Sequence, residues 1–247
     1  MSTNSSGELE GRTVYLTGGS TGIGRATAIL LAKVGCEVFF CGETAQHVED
    51  AKAAAQDAGV SIRGVTVDLG TTGGVKEFFD AAQRTVGKPD IVILNAGIAE
   101  SGKLEEMDEA SCRAVIDVNL TGYILCAMEA LKAFDGSKAQ IVLIGSLSAE
   151  ARKPESTVYV ASKCGVRGFA TSLRKEVNPA GIKVLLIEPG SVGTDMQDEG
   201  PEEQRKKEAA GEMLMAEDIA RAVAYVAAEP HRSSIIELQI RPTLQLI

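Results

Sequence analysis

The chain has 247 residues, 45% of them hydrophobic, and 25 basic against 34 acidic residues leave a formal net charge of −9. That apolar share excludes a disordered chain, no apolar run approaches the ~20 residues of a membrane helix, and the acidic balance without a basic patch argues against a nucleic-acid or membrane partner. Five cysteines without a C-x-x-C pair, and two isolated histidines, His47 and His231, argue against a metal site or a disulfide scaffold.

The polar, acidic start MSTNSSGELE lacks the features of an export signal, so a cytoplasmic protein is expected, its cysteines small buried hydrophobes. The first β-branched run, 13–17, predicts a strand, and a helical pattern follows over 23–34. Between them lies Thr17-Gly18-Gly19-Ser20-Thr21-Gly22-Ile23-Gly24. Strand, glycine loop and helix in that order make an anion site, because glycines let the backbone approach a pyrophosphate that faces the positive helix end. Other nucleotide users, such as a methyltransferase, also fit at this point. A kinase-type phosphate loop does not, since no Lys-Ser or Lys-Thr follows the glycines.

A second strand over 37–41 runs into Gly42-Glu43-Thr44. An acidic residue at this place accepts the ribose hydroxyls of NAD, whereas a basic one suits the 2′-phosphate of NADP. Glu43 therefore leans the choice to NAD, with Arg25 or Arg63 left as cations able to approach from elsewhere. A helix over 45–58, a strand over 62–67, a helix over 74–86, a strand over 91–94 and a long helix over 107–134 continue the alternation.

A fifth strand over 140–144 ends at Ser146, thirteen residues before Tyr159, and Lys163 follows Tyr159 by four within a helix over 158–177. Residues i and i+4 share a helix face, so phenol and ammonium address one ligand, and the ammonium is expected to lower the phenol's pKa. Ser146 sits beyond the carboxyl end of its strand, where open parallel sheets bind ligands; Ser148 competes for that role from deeper in the loop. A sixth strand (183–187), a helix (216–228) and a final strand (235–240) complete a single domain. Near-continuous apolar strands alternating with helices predict a Rossmann-type α/β fold, a doubly wound parallel sheet of about seven strands with helices on both faces. The charged segment 191–214 reads as a substrate-binding lid or as a plain solvated helix.

Taken in order, TGGSTGIG at 17–24, NAG at 95–97, Asn119 within DVNLTG, Ser146 and YVASK at 159–163 resemble the short-chain dehydrogenase/reductase family, supported by Asp68 in VDL and PGSVGT at 189–194. The resemblance implies an NAD(P)-dependent oxidoreductase that interconverts an alcohol and a ketone or aldehyde. Tyr159 would be the acid/base, Lys163 its partner and a ribose ligand, Ser146 the residue orienting the substrate carbonyl, and Asn119 the holder of a relay water. From the residues alone, Asn119 equally well kinks its helix. Gly18, Ser20, Thr21, Gly22, Ile23, Gly24 and Glu43 would bind the dinucleotide with Asp68, Leu69, Asn95, Ala96, Gly97, Pro189, Gly190 and Thr194. A homo-oligomer, tetramer or dimer, built partly from 107–134 and 158–177 is implied as well. A catalytically silent dinucleotide sensor on the same fold is the competing class. Two departures stand out: Thr21 and Glu43 stand where many NADP users carry a basic residue in the glycine loop or just after the second strand, and the apolar tail IIELQIRPTLQLI replaces a glycine-rich end. Arg152 and Lys153, between Ser146 and Tyr159, hint at a polar or acidic substrate and otherwise read as an exposed loop.

Overall fold

The computed structural model describes residues 8–136, 138–197 and 199–245; the first seven residues of the polar start, one residue of the 191–214 segment and the last two of the tail lie outside them. Seven parallel strands form one sheet in the order β3-β2-β1-β4-β5-β6-β7. They are β1 (Thr13–Leu16), β2 (Glu37–Gly42), β3 (Arg63–Thr66), β4 (Ile91–Leu94), β5 (Gln140–Ile144), β6 (Lys183–Pro189) and β7 (Glu237–Ile240). Each strand contributes alternate residues to two apolar layers. Leu16, Phe40, Ile93, Val142 and Leu185 face one side, while Tyr15, Phe39, Val92, Ile141 and Leu186 face the other. Burial on both faces explains why the central strands read as unbroken apolar runs. The edge strand β7 begins two residues later than the apolar pattern suggests and alternates exposed with half-buried positions.

Helices α1 (Gly22–Lys33) and α2 (Ala45–Asp57) cover the first face. On the second lie α3 (Thr72–Val86) and, further along the chain, two helices that frame the cleft described below. The second core centres on Phe78 of α3, whose ring lies 6.0 Å from Tyr15, 6.1 Å from Phe39 and 5.4 Å from Phe79 between centroids. The Tyr15 and Phe79 contacts are edge-on and that with Phe39 is tilted, and such ring pairs add to the stabilisation from apolar burial. The Tyr15 hydroxyl donates to Gly87 O at 2.5 Å, so its polar end is satisfied inside the layer.

Two expectations change, and a third segment takes one of its two expected forms. The 107–134 helix is α4 (Glu109–Ile116), a π-helical turn (Asp117–Thr121) and α5 (Gly122–Ala133). Asn119, fully buried at the centre of the π turn, marks the interruption. Against the expectation of no membrane-length stretch, residues 109–133 are long and apolar enough by length and composition, with mean hydropathy 1.4; Tyr123, Cys126, Ala127 and Ala130 of this rod are core residues under the sheet. The 191–214 segment holds more than a loop: after a short α6 (Ser148–Ala151) and α7 (Thr157–Val177), β6 leads to a bridge between Val192 and Leu214 that brackets α8 (Pro201–Ala210), before α9 (Ala216–Ala228) packs on α1. Helix α8 buries no residue, which fits its charged sequence.

Phe78→Ala removes the ring that joins three aromatic neighbours. It is expected to cost about 3–5 kcal/mol, read as a lower urea midpoint with an unchanged slope.

Candidate active site

All strands run the same way, so β1, β4, β5 and β6 end on one edge of the sheet, and the order reverses between β1 and β4. A crevice opens there, where open α/β sheets bind ligands. The glycine loop forms its floor. Gly22 has φ +47°, and a Cβ on Gly24 would lie 1.9 Å from Gly18 O, so a side chain at Gly24 would push the loop off its helix. Asn95, just past β4, ties the loop down: its Nδ2 donates to Gly18 O at 2.9 Å and to Thr17 O at 3.1 Å, and its own N–H reaches Thr17 Oγ1 at 2.9 Å. The first turn of α1 carries no acidic side chain and Thr21 makes no side-chain cap. Its N–H groups are left for an anion, which fits a pyrophosphate.

Two cavities meet over this floor. One, of about 410 Å³, is walled by Thr21, Gly22, Ile23 and Asn95 at one end and by Ser146, Tyr159 and Lys163 at the other, with Pro189, Gly190 and Thr194 alongside. The other, of about 270 Å³, takes in Gly18, Ser20, Glu43, Asp68, Leu69 and Ala96. Thr21 and Gly97 border both, so the two cavities adjoin and together form one elongated cleft. Of the sequence-predicted residues, Gly24 and Asn119 border neither: Gly24 supports the loop from below and Asn119 lies behind the wall. Arg25 and Arg63 also border neither. Arg63 points to the opposite end of β3, donating to Glu37 Oε2 at 3.2 Å and Thr85 O at 3.3 Å. His47 was missed as a wall residue of the second cavity; its place two residues into α2, beside Glu43, was the available signal.

Tyr159 and Lys163 rise from the first turns of α7, as the i, i+4 spacing predicts. Lys163 is 3% exposed; its Nζ donates to Ile144 O at 3.2 Å and stands 5.7 Å from the Tyr159 ring centroid and 5.4 Å from that of Tyr123. Burial lowers its pKa to about 8. The expected lowering at Tyr159 is not what the structure gives. Burial raises the phenol's pKa, and a hydrogen bond with Ser146 offsets that only in part. The ammonium lies over the ring. Ser146 Oγ accepts from Ser148 N–H at 3.1 Å, which leaves the Ser146 proton to point elsewhere and makes Ser148 a backbone support. Asn119 bonds both ways with Ile98, Oδ1 accepting from its N–H and Nδ2 donating to its carbonyl, each at 2.9 Å, and Nδ2 also reaches Ser162 Oγ at 3.2 Å. A Cβ on Gly97 would lie 3.3 Å from Asn119 Oδ1 and 3.7 Å from Lys163 Nζ, so the two side chains flank the same bare backbone. Lys153 borders the larger cavity together with Glu100 and Asp195, while Arg152 borders an outer groove instead.

Residues 12–205 match the family model for the short chain dehydrogenases. The chain is 33% identical to cis-4-hydroxycyclohexanecarboxylate dehydrogenase of Sinomonas cyclohexanicum over 224 residues, covering 88% of this chain and 90% of that one. Among solved structures it resembles a dehydrogenase/reductase from Sinorhizobium meliloti 1021, with TM-score 0.86, 30% identity and 98% of each chain covered. It also resembles a short chain dehydrogenase from Burkholderia cenocepacia J2315 in complex with NADP, with TM-score 0.85 and 30% identity over 95% of this chain and 98% of that one.

The buried ammonium carries a stability cost that can be measured. Folding lowers the Lys163 pKa from 10.5 to about 8, so below pH 8 the folded chain bears the full cost of the buried charge, and wild-type stability climbs as pH rises from 8 to 10.5. Lys163→Met is expected to raise the melting temperature at pH 7 by about 4 °C, with the advantage shrinking toward pH 10.5 in thermal scans across that range.

Proposed function

Because the chain belongs to the short-chain dehydrogenase family, we propose that it is an NAD(P)-dependent oxidoreductase interconverting an alcohol and a ketone or aldehyde, with Tyr159 as the general acid/base. The observation that carries this reading is the meeting of Ser146, Tyr159 and Lys163 on one cavity wall, across from the glycine loop. A bound dinucleotide would lie along Gly18–Gly22, Asn95–Gly97 and 189–194 and supply hydride chemistry. The chain's own groups supply position and a proton. Ser146 holds the substrate oxygen beside the phenol, and the Tyr159 hydroxyl gives its proton to a carbonyl oxygen or, as phenolate, takes one from an alcohol. The phenolate so formed gains a donor from Ser146 and a cation over its ring. Asn119 holds the π turn and Ile98 against the lysine, a positioning role that suits the proton relay expected of it. A silent sensor would have no use for a buried lysine, a phenol and a serine gathered at the same wall.

NAD is the proposed cofactor in preference to NADP. Two carboxylates, Glu43 and Asp68, border the second cavity, and among the described residues no lysine or arginine does; a 2′-phosphate dianion would meet like charge there. The substrate is proposed to be polar, since Lys153, Glu100 and Asp195 share its cavity. The proposal further takes the chain as a single cytoplasmic domain, in keeping with five unpaired cysteines. It also takes it as a dimer or tetramer using the 107–134 and 158–177 helices, where Met128 is 48% exposed.

Tyr159→Phe is expected to lower kcat by about 100- to 10,000-fold while NADH binding stays within about twofold, read by reduced-nicotinamide absorbance on a panel of secondary alcohols that includes cis-4-hydroxycyclohexanecarboxylate. A variant that kept most of its rate would remove the phenol from the mechanism. Glu43→Arg is expected to tighten NADPH at least about tenfold relative to NADH, the scale of one charge-assisted hydrogen bond to phosphate, in paired fluorescence titrations.

A further inference from the structure

After β7 the chain does not leave the molecule. It turns back, with Gln245 N–H donating to Pro242 O at 3.2 Å, and lies against the 189–194 loop that borders the reactive cavity. Two bonds tie this stretch to the loop and a third ties it to the end of α8. Gly190 N–H donates to Ile240 O at 2.6 Å, Ser191 N–H donates to Gln245 Oε1 at 3.1 Å, and Leu244 N–H donates to Gly211 O at the end of α8. The approach is close enough to need a glycine: a Cβ on Gly190 would lie 2.2 Å from Gln245 Oε1 and 3.0 Å from Arg241 Cβ. The loop is held from its other side as well, where Leu214 receives Gly193 N–H at 2.8 Å and gives its own N–H to Ser191 O at 2.9 Å. With the Ser191 amide taken by Gln245 and its carbonyl by Leu214, the alternation of an extended chain turns the amide and carbonyl of Val192 away from Leu214.

We propose that the segment 241–245 is a clamp that fixes the 189–194 loop in its dinucleotide-binding form, with Gln245 as the positioning residue. This rests on the dehydrogenase reading, because the loop is the part of the cleft assigned above to the nicotinamide end. Gln245 borders the reactive cavity and reaches the loop through a single oxygen. It supplies the acceptor for an amide that would otherwise stand unpaired in a half-buried wall, and it does so from 54 residues away in sequence. The apolar tail that replaces a glycine-rich ending thus completes the site of its own chain.

Two variants separate the acceptor from mere packing. Gln245→Ala removes the oxygen; Gln245→Glu keeps it and removes the amide nitrogen. Amide hydrogen exchange at Ser191, followed without dinucleotide, is expected to quicken about 3- to 10-fold in Gln245→Ala, and NADH or NADPH, whichever wild type binds tighter, to bind more weakly by a similar factor, the scale of one lost hydrogen bond. Gln245→Glu is expected to stay within about twofold of wild type in both. Unchanged exchange and binding in Gln245→Ala, or a Gln245→Glu variant as impaired as Gln245→Ala, would overturn the clamp. Wild-type protein that bound neither dinucleotide would instead overturn the dehydrogenase reading and the positioning role with it, whereas failure of the clamp alone leaves wild-type binding intact.

Discussion

A lysine ammonium buried under the end of β5 is the constraint around which the site is arranged. An uncompensated charge in a protein interior costs several kcal/mol, and fold stability alone does not select for it. Lys163 has one backbone carbonyl, that of Ile144, and the faces of two tyrosines for company. That is enough to hold the side chain straight and too little to neutralise its charge, as its pKa of about 8 indicates. Such a group is stabilised by whatever negative charge develops in the cavity beside it. Burial raises the Tyr159 phenol as it lowers the Lys163 ammonium, so the two residues form a unit in which a phenolate leans on the Ser146 hydrogen bond and the cation over its ring.

The parallel sheet makes that unit useful. Because every strand ends on the same edge, the glycine loop after β1, Asn95 after β4, Ser146 after β5 and Pro189 after β6 arrive together although they are scattered over more than 170 residues of sequence. Each loop is then fixed by a bond to its neighbour: Asn95 holds Gly18, Gly145 N–H donates to Ile187 O, Leu147 N–H to Pro189 O, and the 190–191 stretch is gripped by the tail. Rigid strands set the rough positions, and these cross-loop bonds set the fine ones.

Much of this was legible in the sequence, and the reasons for the exceptions are specific. Strand and helix order followed from periodicity, because burial on both faces leaves a strong apolar signal. Tyr159, Lys163 and Ser146 announced themselves through spacing that a helix and a strand end convert directly into geometry. The direction of the Tyr159 pKa did not, since it depends on how deeply the ring is buried and on where along the ring the ammonium lies, neither of which spacing reports. Gln245 and His47 were invisible for a different cause. One reaches its loop only after the chain reverses beyond β7, and the other earns its place by facing a cavity that exists only once β2 and β3 pair. The π turn at Asn119 adds a residue to a helix without altering its apolar pattern, so periodicity passes over it.

The parts of the cleft that discriminate between ligands are those the sheet does not dictate. At the dinucleotide end, the charge of Glu43 and Asp68 comes from the turns after β2 and β3. At the reactive end, Lys153 precedes α7 while Glu100 and Asp195 belong to the connections after β4 and β6. One cation against two carboxylates is the ground on which a polar substrate is proposed, since all three groups are hydrogen-bond partners. The strand ends that gather Ser146, Tyr159 and Lys163 thus coexist with a wall whose charges come from loops, so the fold by itself does not fix the ligand.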